Sequence, residues 1–249
     1  MPRSIEKNKM HEQILKLEIP TVLASPRVFA KVPGDVLERS ANGEEEPYQD
    51  WIAVQGKLSN AEYSLDLVNN STYSYDCLNG LFRTILIRSA PFARHNPNPV
   101  PYNDDNAWQD QGRQERKFWL MCGRGSYKDL ALDRRAEDLQ IPAEYVMDSA
   151  HPGSQPWEQS FLDVMPDNVW VLAVKQAEAR SDRQGKSAPP GTIVRIQERS
   201  GTGTKATIKS PVLGLSKTVD LASWELKTML IQRSGDGPAS LREVSLLET

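Results

Sequence analysis

Apolar residues in this chain come in short runs, and the clearest of those runs alternate with polar residues at every second position. That period puts one set of side chains on one face of a strand and the other set on the opposite face. Tyr63-Ser64-Leu65-Asp66-Leu67-Val68 shows it plainly. The run over 14–19 alternates too and ends at Pro20. Further strands are predicted over 28–32, stopped by Pro33-Gly34, and over 51–54, 117–122 and 169–174. The β-branched stretch over 82–88 reads as a central strand. Beyond residue 190 the pattern repeats over 192–197, 205–208, 217–221, 226–231 and 242–247, with SGTG, SPVLG and SGDGP as turns between strands. Helical spacing is convincing only over 128–139, where Leu132, Ala136 and Leu139 recur, and the pattern ends before Ile141-Pro142.

A chain of 249 residues with 39% hydrophobic residues can bury a real core in one large β domain or in two domains. The polar segment EARSDRQGKSAPPG over 178–191 is either a linker or a long hairpin tip. Taken as a linker, it divides the chain into a large β domain over 1–180 and a small β-sandwich over 181–249. The net charge is −3 and the charges are mixed along the chain, so no basic stripe offers itself to a nucleic acid. No run approaches the length of a membrane span, and the first residues, MPRSIEKNKMHEQ, lack the apolar run of an export signal. The expectation is a cytoplasmic protein with no nucleic-acid or membrane partner. In that setting the sequons at Asn69 and Asn70 are expected to be unmodified turn residues, and Cys77 and Cys122 reduced, small and buried.

Few residues suggest chemistry. There is no phosphate loop leading into a helix and no GxSxG elbow. His11, His95 and His151 stand in unrelated contexts, so a metal site would have to assemble in space. Glycoside hydrolysis uses two carboxylates about 5 to 9 Å apart across a sugar. The run Glu44-Glu45-Glu46 and the pair Asp104-Asp105 are therefore read as solvated faces. Trp51, Trp119 and Trp170 lie in strand patterns and are expected in the core. Trp108 and Trp157 sit in polar loops, where an indole either stacks on a sugar or pins its loop by burial.

The order of the motifs goes further. LKLEIP over 15–20, PGDVLER over 33–39 and GEEEPYQDW over 43–51 are followed by LVNNSTYSYD over 67–76 and RTILIRSAP over 83–91. Asp110-Gln111-Gly112 precedes the next strand, and IVRIQE over 193–198 and WELKT over 224–228 complete the series. Taken in this order, they resemble the C-terminal β region of glycoside hydrolase family 38 α-mannosidases. The resemblance implies a mainly β fold: an antiparallel, galactose mutarotase-like β-supersandwich followed by a smaller β-sandwich. In that family an α/β domain and a helical bundle precede this region. They carry the zinc ligands, the nucleophilic aspartate and the acid/base carboxylate. None of those motifs is found in this sequence, so no catalytic residue and no metal ligand is assigned, and no cofactor is expected in this chain.

The resemblance also implies partners: α-mannoside glycans, and the missing catalytic domain or another subunit, with a homo-oligomer as a further expectation. It puts the turn over 69–76 near a sugar pocket, which makes Asn69, Asn70, Tyr73 and Tyr75 candidates for the pocket rim. The competing reading of Tyr73 and Tyr75 is that they cap a hairpin core. Where the family carries glycines near this turn, the chain has Ser71 and Ser74. If the turn still needs a positive φ, another residue has to supply it. A free-standing carbohydrate-binding or scaffolding module is the alternative reading. A mutarotase-like epimerase is a third, and would need His95 to converge with Asp104 or Asp105.

Overall fold

The computed structural model describes residues 13–89, 110–154, 156–178, 191–233 and 237–248. Two compact units divide at Met147 and Asp148. The first holds β1 (Gln13–Pro20), β2 (Ala24–Val32), β3 (Asp35–Arg39), β4 (Glu46–Pro47), β5 (Trp51–Leu58), β6 (Ala61–Asn69), β7 (Ser74–Leu78), β8 (Leu81–Ser89), β9 (Phe118–Arg124) and the helix α1 (Leu132–Gln140). Its strands form a four-stranded sheet, β1-β8-β7-β4, and a five-stranded sheet, β3-β2-β5-β6-β9. Every pairing is antiparallel. The predicted strand over 82–88 does lie inside its sheet, between β1 and β7.

The five-stranded sheet buries both faces. On one side Val28, Ala30, Ile52, Val54 and Leu67 pack against Tyr75, Cys77 and Phe82 of the other sheet. On the opposite side Trp51, Ala53 and Val68 pack against Tyr127, Leu132 and Ala136. This is why β5 is buried from Trp51 to Gly56 without alternation. Each large apolar side chain so enclosed contributes about 1.5–3 kcal/mol.

The helix begins later than its sequence period suggests. Ser126 N–H and Oγ–H both donate to the Asp129 carboxylate, at 2.8 and 2.7 Å, and this local turn competes with helix. Ala131 then sits at φ 51 before the first helical residue. Pro33-Gly34 stops β2 at Val32, as expected, and turns the chain into β3, with Gly34 at φ 81. Asn79 and Gly80, at φ 52 and 77, close the β7–β8 hairpin with the positive φ that its twist requires. Cys77 is buried as expected, but Cys122 is exposed, because β9 is an edge strand.

The second unit holds β10 (Asp163–Met165), β11 (Val169–Gln176), β12 (Thr192–Glu198), β13 (Thr204–Ser210), β14 (Leu215–Leu221), β15 (Leu226–Gln232) and β16 (Ser240–Val244). Two antiparallel sheets, β10-β13-β14 and β11-β12-β15-β16, enclose a core of Val169, Val194, Ile196, Met229 and Ile231 against Ala206, Ile208, Leu215 and Leu221. The chain is thus mainly β and built from antiparallel sheets, as its sequence predicts. The residues of β10 and β11, of which only β11 was read as a strand, were placed by sequence in a domain ending at residue 180. They pair instead with β13 and β12, inside the second unit. No helix among the described residues is long and apolar enough to cross a membrane.

Glu198 holds the loops of this second unit. Its carboxylate is fully buried and accepts from Ser200 N–H at 2.6 Å, Gly201 N–H at 2.9 Å, Thr202 N–H at 3.1 Å, Trp224 N–H at 3.0 Å and Asn168 Nδ2–H at 2.9 Å. The Ser200 hydroxyl donates to it as well. Burial alone would push this carboxyl up. The Ser200 hydroxyl, the Trp224 and Ser200 amides and the Asn168 side chain outweigh burial and hold it at about 2. Glu198→Ala leaves these donors without a partner and is expected to cost more than about 2 kcal/mol in urea unfolding. A depressed carboxyl stabilises the fold above its unfolded pKa, and that stability is lost as pH falls towards about 2. Glu198→Gln is therefore expected to be less stable at neutral pH and to lose part of the acid dependence below about pH 4.5.

Candidate functional site

The turn between β6 and β7 is built by one side chain. Asn69 is buried, and its Oδ1 accepts from Ser71 N–H at 2.9 Å, Thr72 N–H at 2.6 Å and the Thr72 hydroxyl at 3.2 Å. Neither Ser71 nor Ser74 takes a positive φ. The Asn69 amide oxygen does the work that glycine would do in a tighter backbone turn. Below the turn, Tyr48 Oη lies 3.2 Å from Thr72 Oγ1 and 2.9 Å from Thr84 Oγ1, and the Thr84 hydroxyl donates to Ser74 O at 3.1 Å. The Tyr48 N–H donates to Tyr73 O at 2.9 Å, which fixes the backbone of Tyr73.

The four predicted rim residues divide into two pairs. Tyr73 is 61% exposed and Asn70 is exposed, with Asn70 Oδ1 accepting from Lys117 N–H at 3.3 Å. Tyr75 is only 1% exposed. It meets Tyr48 edge-on with ring centroids 5.7 Å apart, and Phe82 at 6.1 Å, and burial pushes its phenol up to about 12. Asn69 and Tyr75 therefore support the rim from inside, whereas Asn70 and Tyr73 stand on it.

Beside Tyr73 lies an open depression of about 480 Å³, lined by Glu45, Glu46, the 71–74 turn, Leu86, Arg88, Asp110 and Arg116. Its carboxylates are already engaged. Glu45 accepts from Lys16 Nζ at 3.1 Å and from the Ser74 hydroxyl at 3.0 Å. Glu46 pairs with Arg39 at 3.0 Å, and Asp110 accepts from Arg88 N–H at 3.1 Å. The run Glu44-Glu45-Glu46 is thus partly ion-paired rather than simply solvated. Arg116 Nε–H donates to Leu86 O at 3.2 Å, which orients its guanidinium at the wall. An open aromatic face beside planar polar groups suits a sugar, with C–H bonds on the ring and hydroxyls on the carboxylates and guanidinium. A larger hollow of about 640 Å³ is lined by Arg27, Glu38, Arg39 and Asn79. It has no aromatic ring, and Arg27 is tied there to Glu62 at 2.5 Å.

The hydroxyls of Tyr48, Thr72 and Thr84 were not singled out from sequence. The signal available was Tyr48 just before a strand, with Thr72 inside the turn motif. Trp157 is fully exposed and so does not pin its loop by burial. His151 is exposed, with Nε2 at 3.2 Å from Asp148 Oδ2. His11, His95, Asp104, Asp105 and Trp108 lie outside the described residues. Among the described residues, no group of three or more His, Cys, Asp or Glu side chains could hold a metal ion. Asn69→Ala removes three acceptor contacts from a buried turn and is expected to lower stability by about 2 kcal/mol in urea unfolding, with faster exchange of the Ser71 and Thr72 amides.

No protein-family model matches the chain. In sequence it is 26% identical over 173 residues to alpha-mannosidase 2C1 of Mus musculus, an alignment that covers 67% of this chain and 15% of that protein. In fold it is similar to an alpha-mannosidase from Enterococcus faecalis V583, with a TM-score of 0.63 at 15% identity over 87% of this chain and 25% of that one. A protein in glycosyl hydrolase family 38 from Enterococcus faecalis gives a TM-score of 0.63 at 15% identity, over 87% of this chain and 26% of that one. The chain therefore spans 15% of the curated relative it matches. The resemblance read from its motifs is borne out by homology to an α-mannosidase and by fold, over part of the chain, consistent with a C-terminal region of that family.

Proposed function

We propose that this chain serves as the accessory β region of an α-mannosidase, contributing a wall of the carbohydrate pocket and not the reacting groups. The observation that carries this reading is the sequence kinship to an α-mannosidase over only 15% of that protein's length. The rim chemistry agrees with it: Tyr73 offers an open ring, while the Glu45 and Glu46 carboxylates are each held by a cation. Retaining hydrolysis of α-mannosides, with the zinc that holds sugar hydroxyls, is assigned to a catalytic domain that these residues do not supply. That domain, carried on the same or another polypeptide, is the proposed macromolecular partner. A free-standing carbohydrate-binding module is the second reading, favoured by the openness of the Tyr73 ring.

Calorimetric titration of the chain with α-mannosides tests the rim. Heat of binding is expected, with an affinity loss of about tenfold in Tyr73→Ala, the loss of about 1.4 kcal/mol of stacking. No heat with the unaltered chain overturns the rim assignment. The gene context separates the two readings: an adjoining segment encoding His-x-Asp and a catalytic aspartate supports the accessory region, and its absence supports the free module.

A surface made to meet a partner is expected to be apolar. Tyr145, Val146 and Met147 are each nearly fully exposed, and Leu120 is 56% exposed on the edge strand β9. The isolated chain is expected to self-associate in light scattering as concentration rises. A monodisperse monomer at high concentration counts against the missing-partner reading.

A further inference from the structure

We propose that α1 is a brace for the rim turn and that proton uptake at Asp66, beneath it, sets how firmly the brace is seated. The brace has two fixed ends. Near its start, Asp133 Oδ1 accepts from Trp51 Nε1–H at 2.9 Å and lies 3.8 Å from Lys31 Nζ. At its last residue, Gln140 Nε2–H donates to Asn69 O at 3.0 Å. Asn69 is the residue whose side chain builds the turn that carries Tyr73. Along the helix, Leu132 and Ala136 are buried against Trp51, Ala53 and Val68. The helix thus grips the residue that shapes the rim, though it lines none of the depression.

Asp66 lies in the footprint of this helix. On β6 it shares a face with Val68, and it is paired with Ala53 of β5 and Met121 of β9, all three of which pack in the α1 cluster. It is fully buried. The Ser64 hydroxyl donates to its Oδ1, but among the described residues its Oδ2 has no hydrogen-bond partner, and neither has Nε2 of buried Gln55, the residue paired with Ser64. From α1 the charge that acts on Asp66 is Arg135. The segment before the helix brings Leu130 over Gly123 and Tyr127, whose phenol is pushed up to about 12 mainly by burial and stays neutral. The neighbours on β5, β6 and β9 are Ala53, Gln55, Ser64, Val68 and Met121, none of which titrates. A carboxylate with one orphan oxygen and one opposing cation is costly in such a place, and the neutral acid is not. Burial moves this carboxyl up to about 6, against the pull of the Ser64 hydroxyl and Arg135.

The direction follows. When α1 lifts, Asp66 returns to an ordinary carboxyl near about 4. Seating of α1 is then firmest below that value, weakens as pH rises from about 4 to about 6, and is level above. Through Gln140 and Asn69 the rim turn follows. That any glycan affinity follows too rests on the rim reading above, but the brace itself does not.

Amide exchange of the whole chain between pH 4 and 7.5, corrected for intrinsic rates, tests this. Protection of α1 and of residues 71–72 is expected to fall together by about tenfold or more between pH 4 and 6. In Asp66→Asn the fall is expected to vanish. In Gln140→Ala α1 should keep its pH dependence while residues 71–72 cease to follow. Unchanged pH dependence in Asp66→Asn, or turn protection that still tracks α1 in Gln140→Ala, overturns the proposal. Carbon-detected titration of the Asp66 carboxyl in the unaltered chain needs no variant to fold: a midpoint near about 4 overturns it, and one near 6 supports it. Coupled exchange in a chain that binds no mannoside supports the brace and removes only the rim reading.

Discussion

A sheet that buries both faces has to be covered twice, and the first unit is organised by that requirement. β2, β5 and β6 carry Val28, Ile52 and Leu67 on one side, where only a second sheet is broad enough to cover them. Trp51, Ala53 and Val68 point to the other side, where α1 and Tyr127 lie. A nine-residue helix is too short to be stable alone in water, so its order comes from this seat. The helix therefore holds its order only while it is seated on the sheet, and a feature anchored to the helix inherits that dependence.

The turn at Asn69 is such a feature. Its backbone carbonyl is held by a helix side chain and its own amide side chain shapes the next three residues. Thr72, Thr84 and Tyr48 then tie the turn to the four-stranded sheet through hydroxyls. One short segment is thereby fixed by three separate elements. The exposed ring of Tyr73 sits on a backbone that has little freedom, which reduces the ordering cost of any contact it makes.

Much of this was legible in the sequence, and the gaps have physical causes. The 63–68 run was plain as a strand because its period of two is a strand's, and it lies within β6, but its polar residues Ser64 and Asp66 are buried rather than turned to solvent, because this sheet is covered on both sides. β7 was hidden because SYDCL carries a buried charge in its middle: Asp76 is 1% exposed yet paired with Lys16 and Arg83, both at 2.6 Å. Sequence parity cannot tell where a strand begins, and that decided the two tyrosines. Two residues apart, they should share a face, but β7 starts at Ser74, so Tyr73 escapes the pleat and Tyr75 enters the core. The exposure of Cys122 reflects an edge position, and edge or centre is a matter of topology rather than local composition. The division near residue 147 was missed for a similar reason, since the strand pattern over 169–174 does not state its partner, which is β12 of the second unit.

Among the described residues from Ile141 to Leu162, none belongs to a helix or a strand, and many of their side chains are in solvent. Every ladder among the described strands closes on one side of this stretch or the other. A protease that cuts there severs no inter-strand hydrogen bond, and both pieces keep their own cores. For the engineer it is a natural place to open the backbone, splice in a reporter or relocate the termini.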